Sequence, residues 1–389
     1  MDIKTLKEKF IELYGGNADD IRFFESPGRV NIIGEHTDYN GGYVMPAALT
    51  LSTTIAARKR DDNIIRLAAT TIDAKVEAYT DKLNDYRDLK WGNYQLGVLY
   101  EMQQKGFTIC GCDLLYDATL PFGAGLSSSA SIEVATAIMA AGLSGEEIDP
   151  VDAALIGQKA ENQYCGCNCG IMDQFASAMG KKNHAIHLDC NTLKYTLVPL
   201  ELGDNSLVIT NTNKPHNLVE SKYNERRSEC EKALELIRAA KPELGGLCLL
   251  SPEEFDEVKG VLKEENLLKR ARHAVLENAR TMLAVEALRS GDIATLGDLM
   301  KQSHVSLRDD YEVTGKELDA LFDAAKDLEG VAGVRMTGGG FGGCTVAVVR
   351  NDCIDNYKEK VAESYTAATG YIPSFYICSA GDGGREIFE

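Results

Sequence analysis

Leu120-Pro-Phe-Gly-Ala-Gly-Leu-Ser-Ser-Ser-Ala-Ser131 joins an apolar run, Cys112–Ala118, that reads as a strand to a stretch from about Ser129 to Ala141 that reads as a helix. Two glycines permit a tight turn, and three consecutive serines open the helix. The first turn of a helix carries N–H groups without intrahelical partners and a partial positive charge. Glycines let an anion come close to that backbone, so the segment reads as a phosphate site, with serine hydroxyls as further donors and as a candidate Mg²⁺ ligand. A plain Ser cap after a Gly turn needs one serine, not three. The segment is not a Walker A loop, since no Gly-x4-Gly-Lys-Ser/Thr occurs, and the His-Arg-Asp loop of protein kinases is also absent.

Two other glycine-rich segments flank it. Pro27-Gly-Arg-Val-Asn-Ile-Ile-Gly-Glu-His-Thr-Asp-Tyr-Asn-Gly-Gly42 delivers Glu35, His36 and Asp38 from a strand into a turn-rich loop. Carboxylates and an imidazole in one place suit a polyol, because charged hydrogen bonds are the stronger ones. A metal site and a structural polar loop are the rival readings. Gly333-Val-Arg-Met-Thr-Gly-Gly-Gly-Phe-Gly-Gly-Cys344 contains a formal Gly-x-Gly-x-x-Gly, but a strand follows it where a dinucleotide fingerprint needs a helix. A glycine-packed strand–loop–strand pressed on a neighbouring loop fits better.

The chain has 389 residues, 44% hydrophobic and 26% charged, and its 41 basic against 59 acidic residues give a net charge of −18. This composition belongs to a globular protein of two or three domains. The acidity disfavours nucleic acid and anionic membrane as partners. No apolar stretch is long enough to span a bilayer, and the charged N-terminus lacks a signal-peptide core, so a cytoplasmic location is expected. A monomer is the expectation for assembly, with no sequence feature behind it. Eleven cysteines suit a reducing compartment, and Cys165, Cys167 and Cys169 lack zinc-site spacing and read as loop thiols. Helix over residues 1–14 is followed by strands near 29–34, 53–58, 64–68 and 76–79, then helices over 91–104 and 150–163 and one starting near 171. Strands near 184–189, 195–198 and 207–212 precede a helical region, 218–330, and the chain closes with a strand pair, a helix and a last strand near 375–379. The alternation is too irregular for a barrel, so the class is α+β with mixed sheets. The division falls near residue 205, giving domains 1–205 and 206–389 that pack without a long linker.

Together with Ser221-Lys-Tyr-Asn-Glu-Arg-Arg-Ser-Glu-Cys230, the three segments resemble the GHMP small-molecule kinases and, within them, the galactokinase family, from about residue 20 onward. That resemblance implies a two-domain GHMP fold with the active site between the domains. It implies transfer of phosphate from ATP to the C1 hydroxyl of α-D-galactose, the entry step of galactose catabolism, with Mg²⁺ as cofactor. An N-acetylgalactosamine kinase and a non-catalytic galactose sensor are the alternatives. By position, Asp173 is the carboxylate facing the C1 hydroxyl, as base or as orienter, and Arg29 is the cation beside it. Glu35, His36, Thr37, Asp38, Gly170 and Tyr223 fall at galactose-binding positions. Gly123, Ala124, Gly125, Leu126, Ser127, Ser128 and Ser129 form the phosphate loop, and Ser129 and Glu161 are the Mg²⁺ ligands. Trp91, Asn93 and Tyr94 fall in the region bordering adenine.

Overall fold

A computed structural model describes residues 1–73, 75–121, 124–215 and 219–388. Its strands are β1 (Arg22–Asn31), β2 (Tyr43–Val44), β3 (Pro46–Lys59), β4 (Ile64–Ala69), β5 (Lys75–Tyr79), β6 (Cys112–Ala118), β7 (His184–Asp189), β8 (Tyr195–Pro199), β9 (Asn205–Asn211), β10 (Val331–Thr337), β11 (Cys344–Arg350), β12 (Ser374–Cys378) and β13 (Arg385–Ile387). Its helices are α1 (Ile3–Tyr14), α2 (Gly92–Gln104), α3 (Ser128–Ser144), α4 (Pro150–Lys159), α5 (Met172–Met179), α6 (Val219–Arg238), α7 (Pro252–Val258), α8 (Glu265–Ser290), α9 (Ile293–Ser306), α10 (Gly315–Ala325) and α11 (Ile354–Thr369).

Successive side chains on a strand point to opposite faces. On the first sheet, ordered β13-β1-β3-β6-β4-β5, this sends Phe23, Ala56 and Leu115 against Leu6 and Phe10 of α1. Their neighbours Phe24, Ile55 and Leu114 go to the other face, against Leu96 of α2 and Ala135 and Met139 of α3. Only β4 and β6 run parallel in this sheet. The second sheet is antiparallel, β10-β11-β9-β12, and the third is β2-β7-β8. One mixed and two antiparallel sheets with helices packed on them make the α+β class expected, though only the first sheet is mixed.

One apolar core crosses from the end of β1 (Val30, Ile32, Ile33) to Val285 and Leu288 of α8, Met300 of α9 and Ile209 and Val346 of the second sheet. Fully burying such a side chain contributes about 1.5–3 kcal/mol, against about 0–1 kcal/mol for a surface ion pair. Apolar contact therefore fixes how the two sheets sit around the loops between them.

Two expectations need correction. The helix expected over 150–163 stops at Lys159 and continues as a π-helical turn, Ala160–Cys165, a widening that hydrophobic periodicity does not report. The chain also does not end its regular structure near residue 379. β13 returns to the first sheet, with Phe23 opposite Ile387 and Arg22 Nε and Nη2 each 2.7 Å from the Glu386 carboxylate. Three residues are too few for an alternation to register. No helix among the described residues is long and apolar enough to cross a membrane, and no disulfide links the eleven cysteines.

Candidate active site

The pairing of β1 with β3 shifts register between Pro27 and Arg29. A bulge of this kind re-aims a strand, and here it lets the Arg29 N–H donate to the Leu126 carbonyl at 3.1 Å. The Arg29 guanidinium then makes a fork on Asp173, with Nε to Oδ1 at 2.8 Å and Nη2 to Oδ2 at 2.9 Å, while Nη1 donates to the Gly125 carbonyl at 2.8 Å. Bidentate ion pairs fix orientation as well as contributing energy. Asp173, in the first turn of α5, also accepts from Ser127 Oγ at 2.6 Å. Ser127 has φ +59° and its side chain makes no capping bond to α3, so it is not a cap in a plain Gly turn. Strand β1, the serine loop and α5 are thus joined through three polar side chains.

Arg29, Glu35, His36, Asp38, Glu161, Gly170, Asp173 and Tyr223 line one cavity. Glu35 accepts from Asn31 Nδ2 at 2.9 Å and from the Gly338 N–H at 2.7 Å, which ties the first glycine segment to the third. His36 adopts φ +61° and its Nδ1 lies 2.8 Å from Tyr39 Oη, which meets Tyr311 Oη at 2.8 Å. Burial, seconded by His273, lowers the His36 pKa to about 3, so the ring is neutral near pH 7. Its buried Nε2 has no hydrogen-bond partner among the described residues, and a sugar hydroxyl can supply one. Tyr223 of α6 places its ring 5.5 Å from that of His36. Thr37 differs from the others. Its hydroxyl is buried on the Gly34 carbonyl at 2.9 Å and the Tyr43 carbonyl at 2.7 Å, so it holds the turn and does not line the cavity.

Burial, and the nearby Asp173 charge, push the Asp38 carboxyl up to about 7. In the hexose-binding role that the sequence resemblance implies for Asp38, sugar hydroxyls donate to the ionised form, so binding favours loss of that proton. On that role the galactose KM is expected to rise as pH falls below about 7, by close to tenfold per unit. Galactose KM measured from pH 5.5 to 8 checks this, and a flat profile contradicts it. Gly170 has no room for a methyl group: a Cβ there would lie 1.7 Å from Asp38 Oδ2. On the same implied role, Gly170→Ala is expected to displace Asp38 and raise the galactose KM at least about tenfold with little change in ATP KM. Steady-state kinetics with each substrate varied would read it, and an unchanged galactose KM would contradict it.

Of the expected phosphate loop, Gly123 lies outside the described residues. Ala124 and Leu126 bury their side chains in the core, so only their backbone can face a ligand. Gly338 presses on this loop: a Cβ there would lie 2.8 Å from the Gly125 carbonyl. The third segment is therefore a glycine-packed strand–loop–strand against its neighbour, as expected, and β11 follows it rather than a helix. Ser128 lines an adjoining, mainly apolar pocket with Trp91, Tyr116, Ala69 and Ile132. Asn93 is turned elsewhere, accepting from the Leu89 N–H at 2.9 Å and donating to the Arg87 carbonyl at 2.7 Å.

Glu161, on the π-helical turn, is hydrogen-bonded by Ser129, and burial followed by Asp173 raises its pKa to about 7. Gln174 Nε2 donates to Glu161 at 2.7 Å and to Glu133 at 2.9 Å. Glu133, fully buried, is raised well above the usual range by burial and then by Glu161. No cluster of three or more His, Cys, Asp or Glu side chains able to hold a metal occurs among the described residues, but the Ser129 hydroxyl and the Glu161 carboxyl meet beside the serine loop and are hard oxygens of the kind Mg²⁺ takes together with several waters. The motif reading did not single out Glu133. Its signal was a lone acid in the apolar run Ile132-Glu133-Val134-Ala135.

Family models describe the chain in order: the galactokinase galactose-binding signature matches residues 8–59, the GHMP kinase N-terminal domain 93–181 and the GHMP kinase C-terminal domain 284–367. The galactokinase of Streptococcus suis is 49% identical over 100% of this chain and 99% of its own, and that of Clostridium tetani 48% identical over 100% and 98%. The crystal structure of Lactococcus lactis galactokinase complexed with galactose superposes with a TM-score of 0.96 at 43% identity, covering 99% of this chain and 100% of that one. Methanococcus jannaschii mevalonate kinase, at 18% identity over 92% and 98% with a TM-score of 0.67, shares the fold.

Proposed function

Because the chain belongs to the galactokinase family of GHMP kinases, we propose that it transfers the γ-phosphoryl group of ATP to the C1 hydroxyl of α-D-galactose. The observation that carries this reading is the bridge of Arg29 and Ser127 from the serine loop to Asp173 in the cavity wall. Glu35, His36, Asp38 and Tyr223 hold the hexose, and the loop from 124 to 129 takes the phosphates, with adenine in the apolar pocket beside Ser128 and Trp91. Phosphoryl transfer depends on positioning and charge neutralisation more than on covalent help. Asp173 orients the C1 hydroxyl and receives its proton as the oxygen–phosphorus bond forms and the bond to ADP breaks. In a loose transition state that proton leaves late, so a carboxylate held by three donors suffices. Arg29 commits three of a guanidinium's five N–H groups to Asp173 and Gly125. The other two can face the transferred group. Ser129 and Glu161 would hold Mg²⁺, which when bound neutralises phosphate charge.

A coupled ADP assay with a sugar panel tests the reading. Galactose is expected to be phosphorylated fastest, and faster turnover of N-acetylgalactosamine would replace it as the substrate.

A further inference from the structure

β1 ends at Asn31, and the sugar-facing groups lie in the reversed turn that follows. Gly34 has φ +96° and His36 φ +61°. Backbone of this kind aims consecutive N–H groups into a concave nest that attracts an anion. The anion comes from the other half of the chain. Glu277 of α8, fully buried, accepts on Oε1 from the Gly34 N–H at 3.1 Å and the Glu35 N–H at 3.4 Å, and on Oε2 from Arg280 Nε at 2.8 Å. Ser303 of α9 donates to Oε1 as well. Burial alone would raise this carboxyl, but Arg280, His273 and Arg335 outweigh it and hold it down to about 2, so it stays ionised. His273, one turn earlier on α8, places Nε2 at 3.1 Å from the Glu35 carbonyl. Arg335 of β10 donates to the Asn31 carbonyl at 2.9 Å and to Glu35 Oε1 at 3.3 Å. Glu35 is gripped by its N–H, its carbonyl and its side chain, by three residues that do not line the cavity.

We infer that Glu277, seconded by His273 and Arg335, is a positioning residue that sets the shape of the hexose-binding turn, and with it hexose affinity, without touching hexose or nucleotide. This rests on the assignment of the cavity to galactose. A carboxylate answers the two N–H groups of the nest and the Arg280 guanidinium together. A glutamine of the same shape is neutral and turns an N–H₂ toward one of those donors.

Glu277→Gln and the unaltered protein are compared for kcat, both KM values, Tm and the Tm rise produced by galactose. The expected result is a galactose KM raised about tenfold, with ATP KM within about twofold and kcat within about threefold, and a smaller galactose-induced Tm rise. A role in stability alone lowers Tm and leaves both KM values in place. An unchanged galactose KM in folded Glu277→Gln, or equal rises in both KM values, overturns the inference. Should Glu277→Gln not fold, Ser303→Ala carries the test: a galactose KM raised about threefold with ATP KM unchanged supports the inference, and no change overturns it. Failure of the unaltered protein to phosphorylate galactose would overturn the underlying assignment and this inference with it, an outcome distinct from a normal enzyme with an indifferent Glu277.

Discussion

Asp173→Asn is expected to lower kcat at least about a thousandfold while ATP still binds, since general acid–base groups contribute about 10²–10⁴ and the substitution also disturbs orientation. The side chain keeps its shape and loses two things. It can no longer take the hydroxyl proton. It also offers an N–H₂ to one arm of the Arg29 fork, and to the Ser127 hydroxyl as well where it takes the Oδ2 position. Arg29 is 3% exposed and Asp173 28%, so both line the cavity and the cation is the more deeply buried partner. Leaving a buried cation half-paired costs up to about 3–5 kcal/mol, so the variant should also melt earlier. Steady-state kinetics with nucleotide titration and a thermal melt would read all three effects. A near-normal kcat would remove Asp173 from its assigned role.

Arg29→Lys is expected to cut kcat about a hundredfold or more, the scale of losing a preorganised donor at developing charge. Charge is conserved, so the loss measures geometry. A lysine ammonium is a point donor on a flexible stem and cannot reproduce a planar fork that also reaches the Gly125 carbonyl. Asp173 would lose its fixed orientation, and the serine loop its tie to the cavity wall. Galactose and ATP KM should change less than kcat, because the contact is spent on alignment. A kcat within about threefold of normal would show that charge alone is needed there.

Much of this was readable in the sequence because chemistry and local geometry coincide there. Three serines after Gly-x-Gly, Glu-His-x-Asp after a strand, and a strand after the third glycine run each demand a particular backbone. The expected positions of Arg29, Asp38, Gly170, Asp173 and Tyr223 accordingly surround one cavity. What stayed hidden depends on distance along the chain or on side-chain direction. Thr37 sits between two cavity-lining residues, yet faces backbone carbonyls. Ser127 reads as a cap or phosphate donor, and only the fold shows it on an acid 46 residues away. The Glu277 grip on Gly34 spans 243 residues, and no local pattern announces it. β13 is too short to carry a period, and the π-helical turn under Glu161 leaves no mark on hydropathy.

The most direct test of a single cleft serving both substrates is a crystal structure with galactose and a non-hydrolysable ATP analogue bound together. The account predicts the C1 hydroxyl within hydrogen-bond distance of the Asp173 carboxylate and the terminal phosphate over the backbone of residues 124–129, facing that hydroxyl. Galactose or the analogue on a different face, or Asp173 turned away from C1, would contradict it.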